Sequence, residues 1–293
     1  MVALLMLLLG AAPAPAAPPG IPPPAAAGPG TTAPTATTAR PETPAAVGWT
    51  ILLPGLELGE FVSARAQGGD GRIRILRIDP ARWRLRLFNA SAPSEGQPLT
   101  AREWATRHHL AAAINASMYQ LDMRSSVSLM RTPGHVNNPR LSKDRAVLAF
   151  DPLDAALPRA QIIDRECQDL DALGPAYGTL VQSIRMISCR GANVWAPQPR
   201  AFSTAAIGVD AKGRVLFIHA RAPHATHDLI DALLGLPIGI KGAIYAEGGR
   251  EAQMFVRAGD REMEFLGESG GTAAGANLAW PIPNVVGVEP ITD

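Results

Sequence analysis

The strongest constraint on this chain is a repeated alternation of apolar and polar residues, in runs short enough to be half-buried strands. In residues 72–79, Ile73, Ile75 and Ile78 stand among arginines, and Pro80 ends the run. Residues 82–88 repeat the pattern, with Trp83, Leu85 and Leu87 between Arg82, Arg84 and Arg86. Successive side chains of a strand point to opposite faces, so each run has one apolar and one charged face. Residues 202–219 read as a hairpin with the turn Asp210-Ala211-Lys212-Gly213, where Gly213 suits a left-handed backbone. Residues 49–61 read as two strands around Pro54-Gly55.

Two segments carry helix signals instead. Thr100 and Glu103 have capping-box spacing, and His108 and His109 suit the negative end of the helix that would follow. Thr226 can cap a second helix, which shows Leu229, Ile230, Leu233 and Leu234 on one face and stops at Pro237. Strands, helix, strands, helix, hairpin is not a regular βαβ array. It favours an α+β fold: a single domain with a mixed, largely antiparallel sheet and a few packed helices. The chain has no internal repeats, and it lacks a P-loop, GxGxxG after a strand, HExxH and GxSxG.

The first residues follow different rules. The first charged side chain is Arg40, and residues 2–9 are an apolar run followed by Ala-Pro repeats. That run is too short to span a bilayer as a helix, which needs roughly 20 residues. Residues 1–20 read as a signal-peptide-like segment without a basic start. Residues 21–47, rich in Pro, Ala and Thr, read as a disordered linker. The folded domain is then 48–293, and the expected location is periplasmic or secreted. Cys167 and Cys189 are the two cysteines. In an exported protein they suit one disulfide, and otherwise they are two buried thiols.

The formal net charge of +1 provides no basic field for nucleic acid or an anionic membrane. The arginines of residues 82–88 lie on one solvated strand face, so no nucleic-acid partner and no transmembrane span are expected. No cofactor or metal is expected, and a structural cation is left open. His224 and His227 stand three apart with Asp228 adjacent, but Pro223 makes the segment a loop into a helix cap.

The chemistry concentrates at residues 242–255. An apolar run, Ala243-Ile244-Tyr245-Ala246, leads into Glu247-Gly248-Gly249, and Met254-Phe255-Val256 follows. A strand ending in a carboxylate and two glycines can present one acid at the lip of a sheet, where a ligand approaches the backbone closely. The same residues also suit a β-hairpin with a Gly-Gly turn and a solvated glutamate. Residues 110–119 form an apolar run into Asn115 and then Tyr119. The polar stretch 120–140 after it is long for a loop without function.

Several of these segments, in this order, resemble the phosphodiester glycosidase family. They are Ile114-Asn115-Ala116-Ser117-Met118-Tyr119, the Gln182-bearing strand of 177–191, Ser203-Thr204-Ala205-Ala206-Ile207-Gly208, residues 243–254, and the closing run Pro283-Asn284-Val285-Val286-Gly287-Val288. The resemblance spans about residues 60–289. It implies an exported hydrolase that cleaves a sugar-1-phosphodiester or a related envelope glycan, with a carbohydrate or sugar-phosphate partner. It also implies roles. Glu247, at the family's Asp, is the acid/base. Asn115 orients the sugar or water, and Glu251 is a second carboxylate. Gly248 and Gly249 offer N–H groups to phosphate. Gln182, Thr204 and Tyr119 line the pocket, and Arg221 and His224 are further candidates for it. The chain departs from the family pattern at Arg250, Glu251 and Ala252, and at Thr204, where the family has an arginine. Arg185, Arg221 and Arg250 are candidates to supply that charge. The departures also motivate an alternative reading, a non-catalytic glycan- or envelope-binding protein on the same fold.

Overall fold

Alternation explains how this fold is layered. In the computed structural model, which describes residues 46–268 and 278–291, the strands form three sheets that share one core. The seven-stranded sheet runs Ala46–Leu53, Leu56–Val62, Arg72–Ile78, Val215–Ala225, Ala201–Asp210, Ile240–Gly248, Arg185–Ile187 from edge to edge. A five-stranded sheet runs Arg261–Leu266, Gln253–Ala258, Ala112–Asn115, Asn284–Pro290, Trp83–Asn89. The third sheet runs His135–Asn138, Met130–Thr132, Tyr177–Ser183, Ala146–Pro152, Ala160–Asp164. Every strand pair within these sheets is antiparallel, so the expected mixed sheet is corrected to three antiparallel ones. The fold is dominated by strands, with short helices at its surface.

Each sheet sends alternate residues into the shared core. Val215 and Phe217, Ile114 and Met254, and Leu148 and Val181 face it from the three sheets. The residues between them face outer layers. Leu216 and Ile218 pack under the helix Thr226–Gly235, through Leu229, Ile230 and Leu233. Ala113 and Phe255 pack under the helix Ala101–Arg107, through Trp104. Strands covered on both faces read as continuous apolar runs, which is why 110–116 and 145–150 show no clean alternation.

The expected capping box is present: Thr100 accepts from the Glu103 amide at 3.2 Å, and Glu103 accepts from the Thr100 amide at 2.8 Å. Thr226 is a correction. The residue at the cap is Ala225, which makes no side-chain cap bond, and Thr226 is already inside the helix. Gly55 and Gly213 adopt the positive φ that their turns require. Part of the expected loop 120–140 is ordered as a hairpin, Met130–Thr132 with His135–Asn138, around Pro133 and Gly134.

The described residues all lie in one compact unit, Pro41–Asp293. The signal-like segment and most of the linker lie outside the described residues. The first strand begins at Ala46, two residues before the expected domain start. Cys167 and Cys189 form a disulfide with their Cα atoms 6.5 Å apart, which resolves the two cysteine readings. No described helix is long and apolar enough to cross a membrane.

Candidate active site

The glycine pair does not make a hairpin. Ile240–Gly248 belongs to the seven-stranded sheet and Gln253–Ala258 to the five-stranded one, so Gly248 and Gly249 carry the chain from one sheet to the other. Residues Gly249–Glu251 form a single 3-10 turn at this crossing, with Gly249 at φ 67°. Gly248 is constrained differently: a side chain there would run into the Tyr245 hydroxyl.

The strand that carries Glu247 is irregular where it ends. Ala205 pairs with Glu247 and Ala206 with Tyr245, which leaves Ala246 as an extra residue. A bulge of this kind re-aims the side chains beside it and is common next to active sites. Glu247 is half-buried, and its Oε1 accepts a 3.0 Å hydrogen bond from the Gly248 amide. Burial raises its pKa to about 7 and the Glu251 charge adds to the rise, against the pull of the Gly248 N–H. Tyr119 and Tyr245 are also pushed up, first by burial and then by the charges of Glu247 and Glu251. Two carboxyl groups and two phenols therefore share one electrostatic environment.

Asn115 holds the crossing in place. Its Nδ2 donates to the Glu251 carbonyl at 2.9 Å, and its Oδ1 accepts from the Gln253 amide at 2.7 Å. It is buried at the end of its strand, with its amide turned to the backbone of the crossing. The Ala252 carbonyl accepts from the Gly267 amide at 2.8 Å and faces His219 Nε2 at 3.3 Å. A carbonyl only accepts, so His219 carries its proton on Nε2. Burial lowers the pKa of His219 to about 4, so the ring is neutral near pH 7 and props the turn.

Other expected site residues are engaged elsewhere. Gln182 is fully buried: its Nε2 donates to the carbonyls of Ser142 and Asp144, and its Oε1 accepts from the amides of Ser142 and Leu129. It fixes a loop and has no polar atom left for a ligand. Arg185 grips Asp164 at 2.7 and 2.8 Å and Glu166 at 2.8 Å, beside the disulfide. His224 is fully buried, with Nδ1 donating to the Ala222 carbonyl at 2.7 Å. Thr204 is buried too, as the Cα partner of Gly248 one strand over. Arg221 donates to Glu268 at 3.0 Å. Thus Glu247, Glu251, Asn115, Gly248, Gly249 and Tyr119 come together, with Thr204 paired beside Gly248, whereas Gln182, Arg185 and His224 turn inward.

Sequence reading missed Tyr245 and Trp280. Tyr245 stands two residues before Glu247, but the extra residue Ala246 breaks the alternation between them, so no spacing rule links the two. Trp280 carries the Arg250 guanidinium over its ring at 3.8 Å, a contact between residues 30 apart in sequence that no local pattern encodes. His227, Asp228 and Asp231 converge closely enough to suggest a cation, but Arg65 meets Asp228 at 3.4 Å and Asp231 at 3.3 Å. A cleft of about 700 Å³ lined by Trp83, Arg84, Arg86, Phe150 and Arg159 opens at the other end of these strands and includes none of the candidate site residues.

Comparison with known proteins places the fold in a family. The phosphodiester glycosidase family matches residues 108–289, more than half of the chain, from the end of the helix before Asn115 to the closing strand. No curated protein sequence matches. Among solved structures, the catalytic domain of zebrafish N-acetylglucosamine-1-phosphodiester alpha-N-acetylglucosaminidase, auto-inhibited by its pro-peptide, superposes with a TM-score of 0.61 at 11% identity; the match covers 80% of this chain and 84% of that one. A hypothetical protein from Synechocystis superposes with a TM-score of 0.51 at 14% identity, covering 85% of this chain and 64% of that one. At such identities these structures speak to the fold alone. With a family match over most of the folded region and the fold of a solved structure that carries the family's name, this chain belongs to the phosphodiester glycosidase family.

Proposed function

We propose that this protein is an exported hydrolase that cleaves the bond between a sugar and the phosphate of a sugar-1-phosphodiester, with Glu247 as its acid/base. The observation that carries the reading is the Glu247 carboxyl, raised to about 7 at the crossing between two sheets. A group that exchanges its proton near neutral pH is suited to proton transfer in either direction.

The leaving group decides which direction matters more. Breaking the sugar C1–O bond releases a phosphomonoester, whose second pKa is about 6, so it departs without much help from an acid. Activating water is the harder part. Water adds to the anomeric carbon, its proton passes to the Glu247 carboxylate, and the C1–O electron pair leaves on the phosphate oxygen. Asn115 and His219 act on the backbone that positions Glu247 and Glu251. Tyr119, half-buried beside both carboxyls, supplies an aromatic wall for the sugar.

Export is supported by the disulfide, which persists in oxidising compartments, and by the apolar run 2–9. The test is product analysis after incubation with an α-linked N-acetylglucosamine 1-phosphodiester. Free sugar and phosphomonoester in equal amounts are expected. Saturable binding without either product would favour the alternative, a glycan-binding protein whose departures at Thr204 and at Arg250, Glu251 and Ala252 have ended catalysis.

A further inference from the structure

We propose that Arg250 is the residue that holds the substrate's phosphate, and so selects an anionic over a neutral glycoside. The inference rests on the functional reading above and adds a residue to it.

Geometry separates the three candidate arginines. Arg185 is largely buried in its pairs with Asp164 and Glu166; withdrawing it would strand Asp164, whose side chain is only 4% exposed. Arg221 pairs with Glu268 at 3.0 Å and lies in the strand Val215–Ala225, off the crossing turn, with the Ser203 hydroxyl donating to its carbonyl and accepting from the Glu268 amide. Arg250 sits on the crossing turn itself, between Gly249 and Glu251, with its side chain 48% exposed. Among the described residues, only its Nε is hydrogen-bonded, to Glu251 at 3.0 Å. A guanidinium has five N–H donors in a rigid fork, so its two terminal nitrogens remain for a ligand.

The fork is also held in orientation. Its Cζ lies 3.8 Å from the Trp280 ring centroid. The Trp280 carbonyl accepts from Gln253 Nε2, the Gln253 amide donates to Asn115, and Gln253 Oε1 accepts from the Ala101 amide at 3.1 Å. One residue thus ties the stacking ring, the turn and the first helix together. A cation fixed in this way binds an anion with little ordering cost. Charge balance points the same way. Glu247 and Glu251 would repel a phosphodiester monoanion, and Arg250 is the cation acting on Tyr119 beside them.

The test compares binding of N-acetylglucosamine 1-phosphate and N-acetylglucosamine by calorimetry, on the full chain and on Arg250→Gln and Arg250→Lys. Wild type should prefer the phosphate-bearing sugar by about 10–100-fold, the usual range for charge-assisted bonds. Arg250→Gln should lose the preference and keep its affinity for the neutral sugar. Arg250→Lys should keep part of it, because a point charge replaces the fork. A preference unchanged in Arg250→Gln, or absent in wild type, overturns the proposal. Turnover of the phosphodiester is followed alongside. An Arg250-dependent preference without turnover would retain this inference and reject hydrolysis; turnover without that dependence would do the reverse.

Discussion

Glu247→Gln is expected to lower kcat for sugar release by about 10²–10⁴-fold, the usual contribution of a positioned acid–base group, and to make the protein more stable at alkaline pH. Both effects come from one environment. Burial holds the folded-state carboxyl at about 7, above its ordinary 4.5. Between those values the folded state binds the proton more tightly than the unfolded state. The stability this provides is fully present below about pH 4.5 and is lost as pH rises through 7. Ionised Glu247 therefore costs on the order of 3 kcal/mol above pH 7. Glutamine keeps the shape and an oxygen for the Gly248 amide but never ionises. Scanning calorimetry should find the variant about 5–10 °C more stable than wild type at pH 8, with the two converging at about pH 4. A variant that is less stable at pH 8 would mean that the carboxylate is not strained where it sits.

Asn115→Ala should instead damage stability and catalysis together. The substitution removes a donor to the Glu251 carbonyl and an acceptor for the Gln253 amide. Leaving two buried backbone groups unpaired costs about 1–3 kcal/mol each. A melting temperature lower by roughly 5–15 °C is expected. The turn that positions Glu247 and Glu251 loses its anchor as well, so kcat/KM should fall even at temperatures where the variant is folded. Asn115→Asp separates the two functions of the side chain, because it still accepts from Gln253 and no longer donates to Glu251. Its carboxylate would be buried against the Glu251 carbonyl, so at neutral pH it should be at least as unstable as Asn115→Ala. If Asn115→Ala melts with wild type, the amide is not what holds the crossing.

Much of the fold was legible because its signals are local. The capping box of Thr100 and Glu103, the turns at Gly55 and Gly213, and the alternation of 72–78 and 83–88 each depend on neighbours within a few residues. Sheet membership did not follow from them. Two strands joined by Gly248-Gly249 read as a hairpin because nothing nearby records that one pairs with Ala201–Asp210 and the other with Ala112–Asn115. The same distance effect divided the site residues. Glu247 lies near the end of the strand that enters the crossing and Asn115 at the end of the strand paired with the one that leaves it, with Tyr119 four residues beyond Asn115. Gln182 and Arg185 belong to equally suggestive segments, but partners 40 and 21 residues away claim their polar atoms. Trp280 became relevant only through its stacking on Arg250.

The most direct test of Glu247 as the working base is kcat/KM for sugar release from an α-linked N-acetylglucosamine 1-phosphodiester, followed from pH 5 to 9 for wild type and Glu247→Gln. This parameter reports ionisations of the free enzyme. Wild type should rise about tenfold per pH unit up to a bend near 7 and then level off. Glu247→Gln should stay low and lose that limb. A flat wild-type profile, with the variant within tenfold of it, would contradict Glu247 as the group that takes the proton from water.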